Sequence, residues 1–246
     1  PERITEESAY TLHPDYLDLL EETRSLSKTY ISTDGNQRGR SLMKQWAMLS
    51  LLRGIASSPS AGALMLRNKV AKQMELADEE VDAVRHQLEI DISDQSLGVQ
   101  DTETMDAPEL SEYLASKFRK LAEALEGMQN LEYDYKAKEL LQKLVSLVNE
   151  GYRPIVFCRF IRTAEYLQET LNTPLRRSLG STFDSVSITS NLNDEQRRER
   201  IDHLCGKAEK RVLFATDCLS EGINLQEHFD AVIHYDLPWN PNRLEQ

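Results

Sequence analysis

Four short runs with the character of β-strands, most of them apolar, constrain the fold of this chain more than any other feature of its sequence. The runs lie at residues 154–158, 185–189, 212–215 and 231–235. Each has about the length of a buried strand, and each interval between them can hold a helix or a turn. Strands that alternate with helices form βαβ units, which build a parallel sheet with helices on both faces. The sequence therefore predicts an α/β fold.

Polar and loop-forming residues follow the last two runs directly. Thr216 and Asp217 follow the third run, and Glu221, Gly222 and Asn224 come shortly after them. The fourth run leads into the sequence Asp-Leu-Pro-Trp-Asn-Pro. In an open parallel sheet, ligands bind just beyond the carboxyl ends of the strands. The sequence thus predicts a functional site at that edge.

The chain before the strands has mostly helical patterning. Apolar residues recur at helical spacing along residues 41–56, 110–128 and 134–149. We expect Gly151 to adopt the left-handed conformation after the third of these helices, and Asn193 or Asp194 to cap a later helix. The predicted organisation is a helical segment over residues 1–74 and an α/β lobe over residues 110–246.

An acidic insertion, residues 75–109, separates these two parts. It contains twelve acidic residues and one basic residue, and so carries most of the net charge of −12. This composition is typical of a solvated or disordered segment. The functional alternative is an acidic cover for a DNA-binding groove. Because the acidity is local, it does not argue against a basic groove elsewhere.

The composition also excludes several classes of protein. No apolar run approaches the roughly 20 residues of a membrane span, and the charged N-terminus lacks the pattern of a secretory signal. The three cysteines form no CxxC pair, and the five histidines show no metal-ligand spacing. We therefore predict no metal site, no membrane association, and a reduced, cytoplasmic protein of bacterial type.

Several stretches resemble the motifs of one family. Residues 215–226, ATDCLSEGINLQ, resemble motif V of superfamily 2 helicases and translocases. Residues 234–246, HYDLPWNPNRLEQ, resemble the approach to motif VI in Swi/Snf-like ATPases and in the bacterial RNA-polymerase-associated ATPase. Residues 134–158 and the turn after them resemble the start of a helicase second lobe and its motif IV. A weaker resemblance, over residues 51–68, is to the segment that leads into that lobe.

The resemblance implies a RecA-like parallel sheet with flanking helices, the second of two lobes that hold ATP between them. It implies four ATP-site residues, namely Glu221, Gly222, Asn224 and Gln246. It implies seven residues that bind nucleic acid, namely Cys158, Arg159, Arg162, Ser190, Arg197, Thr216 and Asp217. Thr216 would offer its hydroxyl and its backbone N–H to a phosphate. No catalytic residue and no metal ligand is implied within this chain.

Several of these residues also have an ordinary structural interpretation. Arg159 and Arg162 suit the start of a helix that carries surface arginines, and Arg197 suits a solvated helix face. Asp217 and Asn224 commonly satisfy backbone groups in turns. For Asp217 and Asn224 alone, turn chemistry would be the simpler interpretation, and the ordered motif in which they stand favours the functional one.

Motifs that ATP hydrolysis requires are absent from these 246 residues. There is no G-x-x-x-x-G-K-[ST] loop and no Asp-Glu pair at a strand end in the family's usual pattern for Mg²⁺. The arginine finger of motif VI would follow Gln246. We expect the chain to be a second lobe truncated at the start of motif VI, and inactive alone as an ATPase. ATP and Mg²⁺ would bind the parent protein, with Mg²⁺ on the first lobe, and neither would bind tightly to this chain.

The expected parent is an ATP-dependent DNA helicase or translocase of the Swi/Snf-like kind. Its partners would be nucleic acid, with double-stranded DNA favoured over RNA, and the first helicase lobe of the same protein. A protein partner could bind the helical part or the acidic insertion. The alternatives are a protein-binding scaffold and the second lobe of a restriction or phage-defence motor.

Overall fold

The structure is a computed structural model that describes residues 5–32, 38–71, 110–216 and 225–236. In the second helix, the side chains are described from residue 44 onward. The acidic insertion of the sequence analysis lies outside the described residues. Among the described helices, none has the length and apolar character needed to cross a membrane.

Four helices build the first packing unit. They are α1 (Pro14–Ser32), α2 (Arg38–Ser57), α3 (Pro59–Ala71) and α4 (Glu112–Gly127). Their buried apolar side chains form one cluster, here called the helical core, which includes Tyr30, Met48, Ile55, Leu66 and Phe118. Burial of this apolar surface is what holds the four helices together.

Helix α4 belongs to the helical core and not to the sheet. Ser111 caps its first turn by accepting a hydrogen bond from the N–H of Leu114. Its predicted apolar seam is confirmed, because Leu114, Phe118, Leu121 and Leu125 are all at most 4% exposed. The seam packs in the same cluster as α1, α2 and α3. The predicted lobe boundary at residue 110 therefore falls inside one packing unit, and the packing changes only after α4.

The remaining elements form a four-stranded sheet with helices on both faces. They are α5 (Tyr135–Asn149), β1 (Pro154–Phe157), α6 (Ile161–Leu179), β2 (Phe183–Ile188), α7 (Asp194–Lys207), β3 (Lys210–Ala215) and β4 (Ala231–His234), with a short 3₁₀ helix at Leu225–Glu227. The strand order is β2-β3-β1-β4, and each neighbouring pair is parallel. The predicted RecA-like α/β architecture is confirmed.

Alternation along the strands assigns each face of the sheet to its helices. Val156, Val212 and Phe214 point to one face and pack with α5 and α6. Ile155 and Leu213 point to the other face and pack with α7. All five side chains are at most 4% exposed. Because successive side chains on a strand point to opposite faces, one sequence pattern supplies both cores.

Two local signals that the sequence predicts are present. Gly151 follows α5 with φ of +97°, the left-handed region that glycine adopts without strain. Asn193 caps α7 by accepting from the N–H of Gln196, whose side chain accepts in return from the N–H of Asn193. This reciprocal pair satisfies two backbone donors that the first turn of a helix would otherwise leave open.

The close approach of α2 and α3 at Gly62 makes one testable prediction. A methyl group on Gly62 would lie 2.7 Å from Cγ1 of Ile55 and 2.9 Å from its Cα. In an open helix, alanine is more stable than glycine by about 1 kcal/mol. At Gly62 the methyl group would clash with the backbone of α2, so α2 or α3 must shift. We therefore expect Gly62→Ala to lower the free energy of unfolding by about 1–3 kcal/mol.

The matched control is Gly127→Ala, at the end of α4, where an added methyl group meets nothing within 4 Å. We expect this variant to be unchanged or more stable, by up to about 1 kcal/mol. Urea unfolding of both variants measures the difference. Equal effects of the two substitutions would contradict the close contact at Gly62.

Asp134 makes a second prediction, about pH. Its carboxylate is 6% exposed and caps α5 by accepting from the N–H of Ala137 at 2.9 Å, and it also accepts from the hydroxyl of Tyr166 at 3.1 Å. Burial raises the pKa of Asp134 above its usual range, and these hydrogen bonds offset the effect only in part. The pKa of Asp134 is therefore higher in the folded chain than in the unfolded chain. As the pH rises, the unfolded chain loses the proton first, and the free energy of unfolding falls until the folded chain has lost it as well.

Asp134→Asn keeps an oxygen for the cap and removes the buried charge. We expect this variant to be more stable than the wild type at neutral pH and to lose the decline that begins above about pH 4. Asp134→Ala loses the cap and should cost about 1–2 kcal/mol. Thermal unfolding between acidic and neutral pH measures both, and an Asn variant as unstable as the Ala variant would contradict the prediction.

Candidate functional site

The first residues after the four strands meet at the carboxyl edge of the sheet. Across the sheet in strand order, these residues are Thr189 and Ser190 after β2, Thr216 after β3, Cys158 and Arg159 after β1, and Tyr235 and Asp236 after β4. Neighbouring strands lie about 4.8 Å apart. The structure therefore brings Ser190, Thr216, Cys158 and Arg159 to one edge, as the sequence predicts.

Backbone hydrogen bonds extend past the strands and fix where each loop begins. The N–H of Cys158 donates to the carbonyl of Ala215 at 2.8 Å, and the N–H of Thr216 donates to the carbonyl of Ile188 at 3.2 Å. The N–H of Tyr235 donates to the carbonyl of Phe157 at 2.9 Å. The edge is thus a continuation of the rigid sheet.

Thr216 is 1% exposed and its N–H is engaged in this ladder. A phosphate contact of this N–H stays a prediction, and it would have to share or replace the hydrogen bond to the carbonyl of Ile188. Its hydroxyl stays a predicted contact. Cys158 is likewise 2% exposed, so its thiol lies within the core.

Ser190 and Arg197 form the part of the edge that follows β2. The hydroxyl oxygen of Ser190 is buried and has no hydrogen-bond partner among the described residues. Its carbonyl accepts from Nη2 of Arg197 at 3.4 Å, and Nη1 of Arg197 lies 3.1 Å from a carboxylate oxygen of Asp194. A buried hydroxyl without a partner is unfavourable unless a water or ligand supplies one. Ser190 therefore offers a hydrogen bond at this edge.

Arg162 points toward the helical part of the chain. Its Nε donates to the hydroxyl oxygen of Ser60 at 2.9 Å, and its guanidinium lies 3.5 Å from the carboxylates of both Glu165 and Glu169. The side chain is 30% exposed. Contact between Arg162 and nucleic acid stays a prediction, and it would have to replace or share these ion pairs.

Five predicted site residues lie outside the described residues. They are Asp217, Glu221, Gly222, Asn224 and Gln246. They include every residue that the sequence assigns to ATP. The described site is thus the part of the edge predicted to face nucleic acid.

Asp236 occupies a central position that the sequence analysis did not assign. One carboxylate oxygen, Oδ1, accepts from Nζ of Lys136 at 2.8 Å. The other, Oδ2, accepts from the hydroxyl of Ser57 at 2.7 Å and from the N–H of Arg159 at 3.1 Å. The two charged side chains are only 10% and 11% exposed. The signal in the sequence was a charged residue directly after the last apolar run, which forms the edge strand β4.

Lys136 makes further contacts around this pair. Its Nζ donates to the carbonyls of Ala56 and Ser57, at 3.3 and 3.4 Å, and lies 3.9 Å from the centre of the Tyr235 ring. Three kinds of acceptor therefore surround one ammonium group. This solvation by the protein is what a buried charge requires.

A serine step, residues 57–60, connects the helical core to this edge. The hydroxyl oxygens of Ser57 and Ser58 lie 2.8 and 2.9 Å from that of Thr163, which is fully buried in the first turn of α6. With Ser57 on Asp236 and Ser60 on Arg162, the step contacts both loop and helix beside the edge. The helical core is thereby attached to the site itself.

Comparison with known proteins agrees with this geometry. Residues 136–246 match the family described as the helicase conserved C-terminal domain. Over 95 residues, the chain is 34% identical to a probable ATP-dependent RNA helicase of Methanocaldococcus jannaschii. This match covers 39% of this chain and 23% of that protein. Over 92 residues it is 37% identical to an uncharacterized ATP-dependent helicase of Bacillus subtilis, which covers 37% and 15%. The chain matches less than a quarter of the length of these curated relatives.

Two solved structures share the fold. One is the SWI2/SNF2 ATPase core of Sulfolobus solfataricus in complex with double-stranded DNA, with a TM-score of 0.54, 14% identity, and coverage of 96% of this chain and 35% of that one. The other is the C-terminal domain of a SWI2/SNF2 ATPase from the same organism, with a TM-score of 0.51, 14% identity, and coverage of 94% and 70%. Residues 136–246 therefore match the helicase conserved C-terminal domain, and the parallel sheet with its flanking helices has the RecA-like fold that these solved structures share.

Proposed function

We propose that this chain supplies the second lobe of a Swi/Snf-like, ATP-dependent motor that moves along double-stranded DNA. The observation that carries the proposal is the carboxyl edge, where Ser190, Thr216 and Arg159 follow three adjacent strands. Hydroxyl groups and arginine are suited to phosphate oxygens, and phosphate contacts position a protein without reading sequence. A motor that moves along a duplex requires contacts of this sequence-independent kind.

The preference for DNA has independent support. One solved structure that shares the fold is described as a SWI2/SNF2 core in complex with double-stranded DNA. One relative, the probable ATP-dependent RNA helicase of Methanocaldococcus jannaschii, supports RNA instead. The sequence Asp-Leu-Pro-Trp-Asn-Pro favours the Swi/Snf-like alternative, so we propose duplex DNA and treat RNA as the competing ligand.

ATP and Mg²⁺ belong to this proposal through the parent protein. The residues assigned to ATP lie outside the described part of the chain, and the described residues include no group of three His, Cys, Asp or Glu side chains suited to a metal. The contribution that we propose for this lobe is one face of the nucleotide cleft. In the parent protein, ATP hydrolysis would supply the energy for movement.

The first experiment is binding of a short DNA duplex to this chain at salt concentrations between about 50 and 200 mM. We expect affinity to fall steeply with salt, because phosphate contacts release counterions. In the double variant Arg159→Ala/Thr216→Ala, we expect weaker binding and a salt slope shallower by about 1, which corresponds to one lost charged contact. Circular dichroism and urea unfolding check that this variant is folded.

The matched control is the double variant Arg177→Ala/Thr182→Ala. Both residues are exposed and lie at the opposite edge of the sheet, near the end of α6 and the start of β2. We expect its affinity and salt slope to equal those of the wild type. Equal losses in the two double variants would overturn the assignment of the carboxyl edge, and tighter binding to an RNA duplex of the same sequence would favour RNA.

A further prediction concerns hydrolysis. The purified 246-residue chain should show no duplex-stimulated ATP turnover above a protein-free blank, because the phosphate-binding loop is absent from its sequence. A coupled phosphate-release assay with and without duplex DNA measures this. Turnover that follows the protein through purification would contradict the second-lobe interpretation.

A protein-binding scaffold is the second candidate, and one observation favours it. On α2, Trp46 is 60% exposed and Leu49 is 37% exposed. Exposed large apolar side chains that lie together often mark surfaces for protein partners. Duplex binding that is weak and independent of salt would favour this candidate over the motor lobe.

A further inference from the structure

We propose that Asp236 is a positioning residue, which holds the Arg159 loop in place and ties it to the helical core. The inference rests on the proposed function, in which Arg159 contacts a phosphate. It adds a residue that does not touch nucleic acid but determines how Arg159 is presented.

The two oxygens of Asp236 serve different parts of the chain. Oδ1 accepts from Lys136 on α5, at 2.8 Å. Oδ2 accepts from Ser57 in the serine step, at 2.7 Å, and from the N–H of Arg159, at 3.1 Å. Because the carboxylate is planar and rigid, these three donors are fixed relative to one another. Asp236 thus joins α5, the serine step and the loop after β1.

The contact with the N–H of Arg159 orients that residue. The N–H of the preceding residue, Cys158, donates to the carbonyl of Ala215, and α6 begins at Ile161, two residues after Arg159. Only two soft dihedral angles per residue remain between these fixed points. Fixing the N–H of Arg159 as well leaves little freedom in the direction of its Cα–Cβ bond, from which the side chain extends. Phe160, the N-cap of α6, supplies no side-chain hydrogen bond to this turn.

The serine step transmits the position of the helical core to this loop. Ser57 bonds both Asp236 and Thr163, and its carbonyl accepts from Lys136. Any displacement of the step therefore changes the surroundings of Asp236. The carboxylate is the shared contact through which the helical core acts on the edge that carries Arg159.

Asp230 offers a matched comparison at the opposite end of the same two strands. Its Oδ1 accepts from the N–H of Arg153 at 2.6 Å, and its Oδ2 pairs with the Arg153 side chain at 2.8 Å. Like Asp236, it is an aspartate that holds a backbone N–H beside β1 and pairs with a cation. It differs in lying at the other edge of the sheet and in being more exposed, since its side chain is 35% exposed and that of Asp236 is 11% exposed.

The test compares Asp236→Asn and Asp230→Asn in the 246-residue chain. Asp236 accepts from Lys136 and from the Arg159 N–H with different oxygens, whereas asparagine has one acceptor oxygen and an NH₂ group in place of the other. Asp236→Asn therefore loses one of these two hydrogen bonds. We expect the Arg159 amide hydrogen to exchange about tenfold faster in Asp236→Asn, and duplex affinity to fall by about tenfold, as for loss of one hydrogen bond to a charged group. The Leu213 amide in the core reports any global change.

In Asp230→Asn, we expect faster exchange at Arg153 and unchanged duplex affinity. Unchanged exchange at Arg159 in Asp236→Asn would overturn the proposal. Equal losses of affinity in the two variants would overturn it as well, since they would reflect stability alone.

A double variant separates positioning from charge balance. Asp236→Leu alone leaves a buried, unpaired Lys136, whereas Lys136→Met/Asp236→Leu removes both charges and should recover much of the lost stability. Because leucine offers no acceptor, we expect the Arg159 amide and the duplex affinity to stay impaired. Wild-type affinity in the double variant would overturn the positioning role.

The outcomes for this inference and for the proposed function are distinguishable. If the wild-type chain does not bind the duplex at any salt concentration, the proposed function fails. The exchange of the Arg159 amide then decides the positioning role by itself. If the wild type binds and Asp236→Asn binds equally well, the proposed function stands and the inference fails.

Discussion

The ion pair between Lys136 and Asp236 is the interaction on which the geometry of the site depends. Moving two charges out of water is unfavourable by several kcal/mol per ion, and mutual attraction offsets this only when other hydrogen bonds complete the shell. Here those bonds come from Ser57, the N–H of Arg159 and the carbonyl of Ala56. They exist together only in one arrangement of the helical core, α5 and the end of β4. The pair therefore favours that arrangement over others, in which its charges would lose their hydrogen bonds.

Two kinds of constraint fix the edge of the sheet. The backbone ladder sets the start of each loop, as at Cys158 and Thr216, and depends on no particular side chain. Beyond the ladder, single side chains set the geometry, and Asp236 does so for Arg159. A site that must accept a phosphate backbone in one register needs both, because a misplacement of about 1 Å weakens a hydrogen bond severely. The backbone ladder makes the edge rigid, and the Asp236 carboxylate orients the backbone of Arg159.

Local patterns in the sequence predicted much of this fold. The four short runs predicted the strands, and the spacing from Leu114 to Leu125 predicted the apolar seam of α4. Gly151 and Asn193 predicted helix ends. Each of these signals acts within a few residues and can therefore be recognised in the sequence. The strand order was not predictable in this way, since it depends on how crossovers pack. Nor was the bond between Ser57 and Asp236, whose residues lie 179 positions apart. Its partners become visible only when the chain is folded.

The distance in sequence between Ser57 and Asp236 raises the question of where the functional unit begins. The family match starts at Lys136, and so includes the ion pair but not Ser57. A lobe beginning there would keep the sheet, its ladder and both charges. It would lose the Ser57 hydroxyl and the carbonyl oxygens of Ala56 and Ser57, all of which contact the pair. Since a buried charge is tolerated only with its hydrogen bonds complete, the step is part of the lobe in energetic terms. The helical core then contributes to how the edge is held, beyond its place in the chain before the sheet.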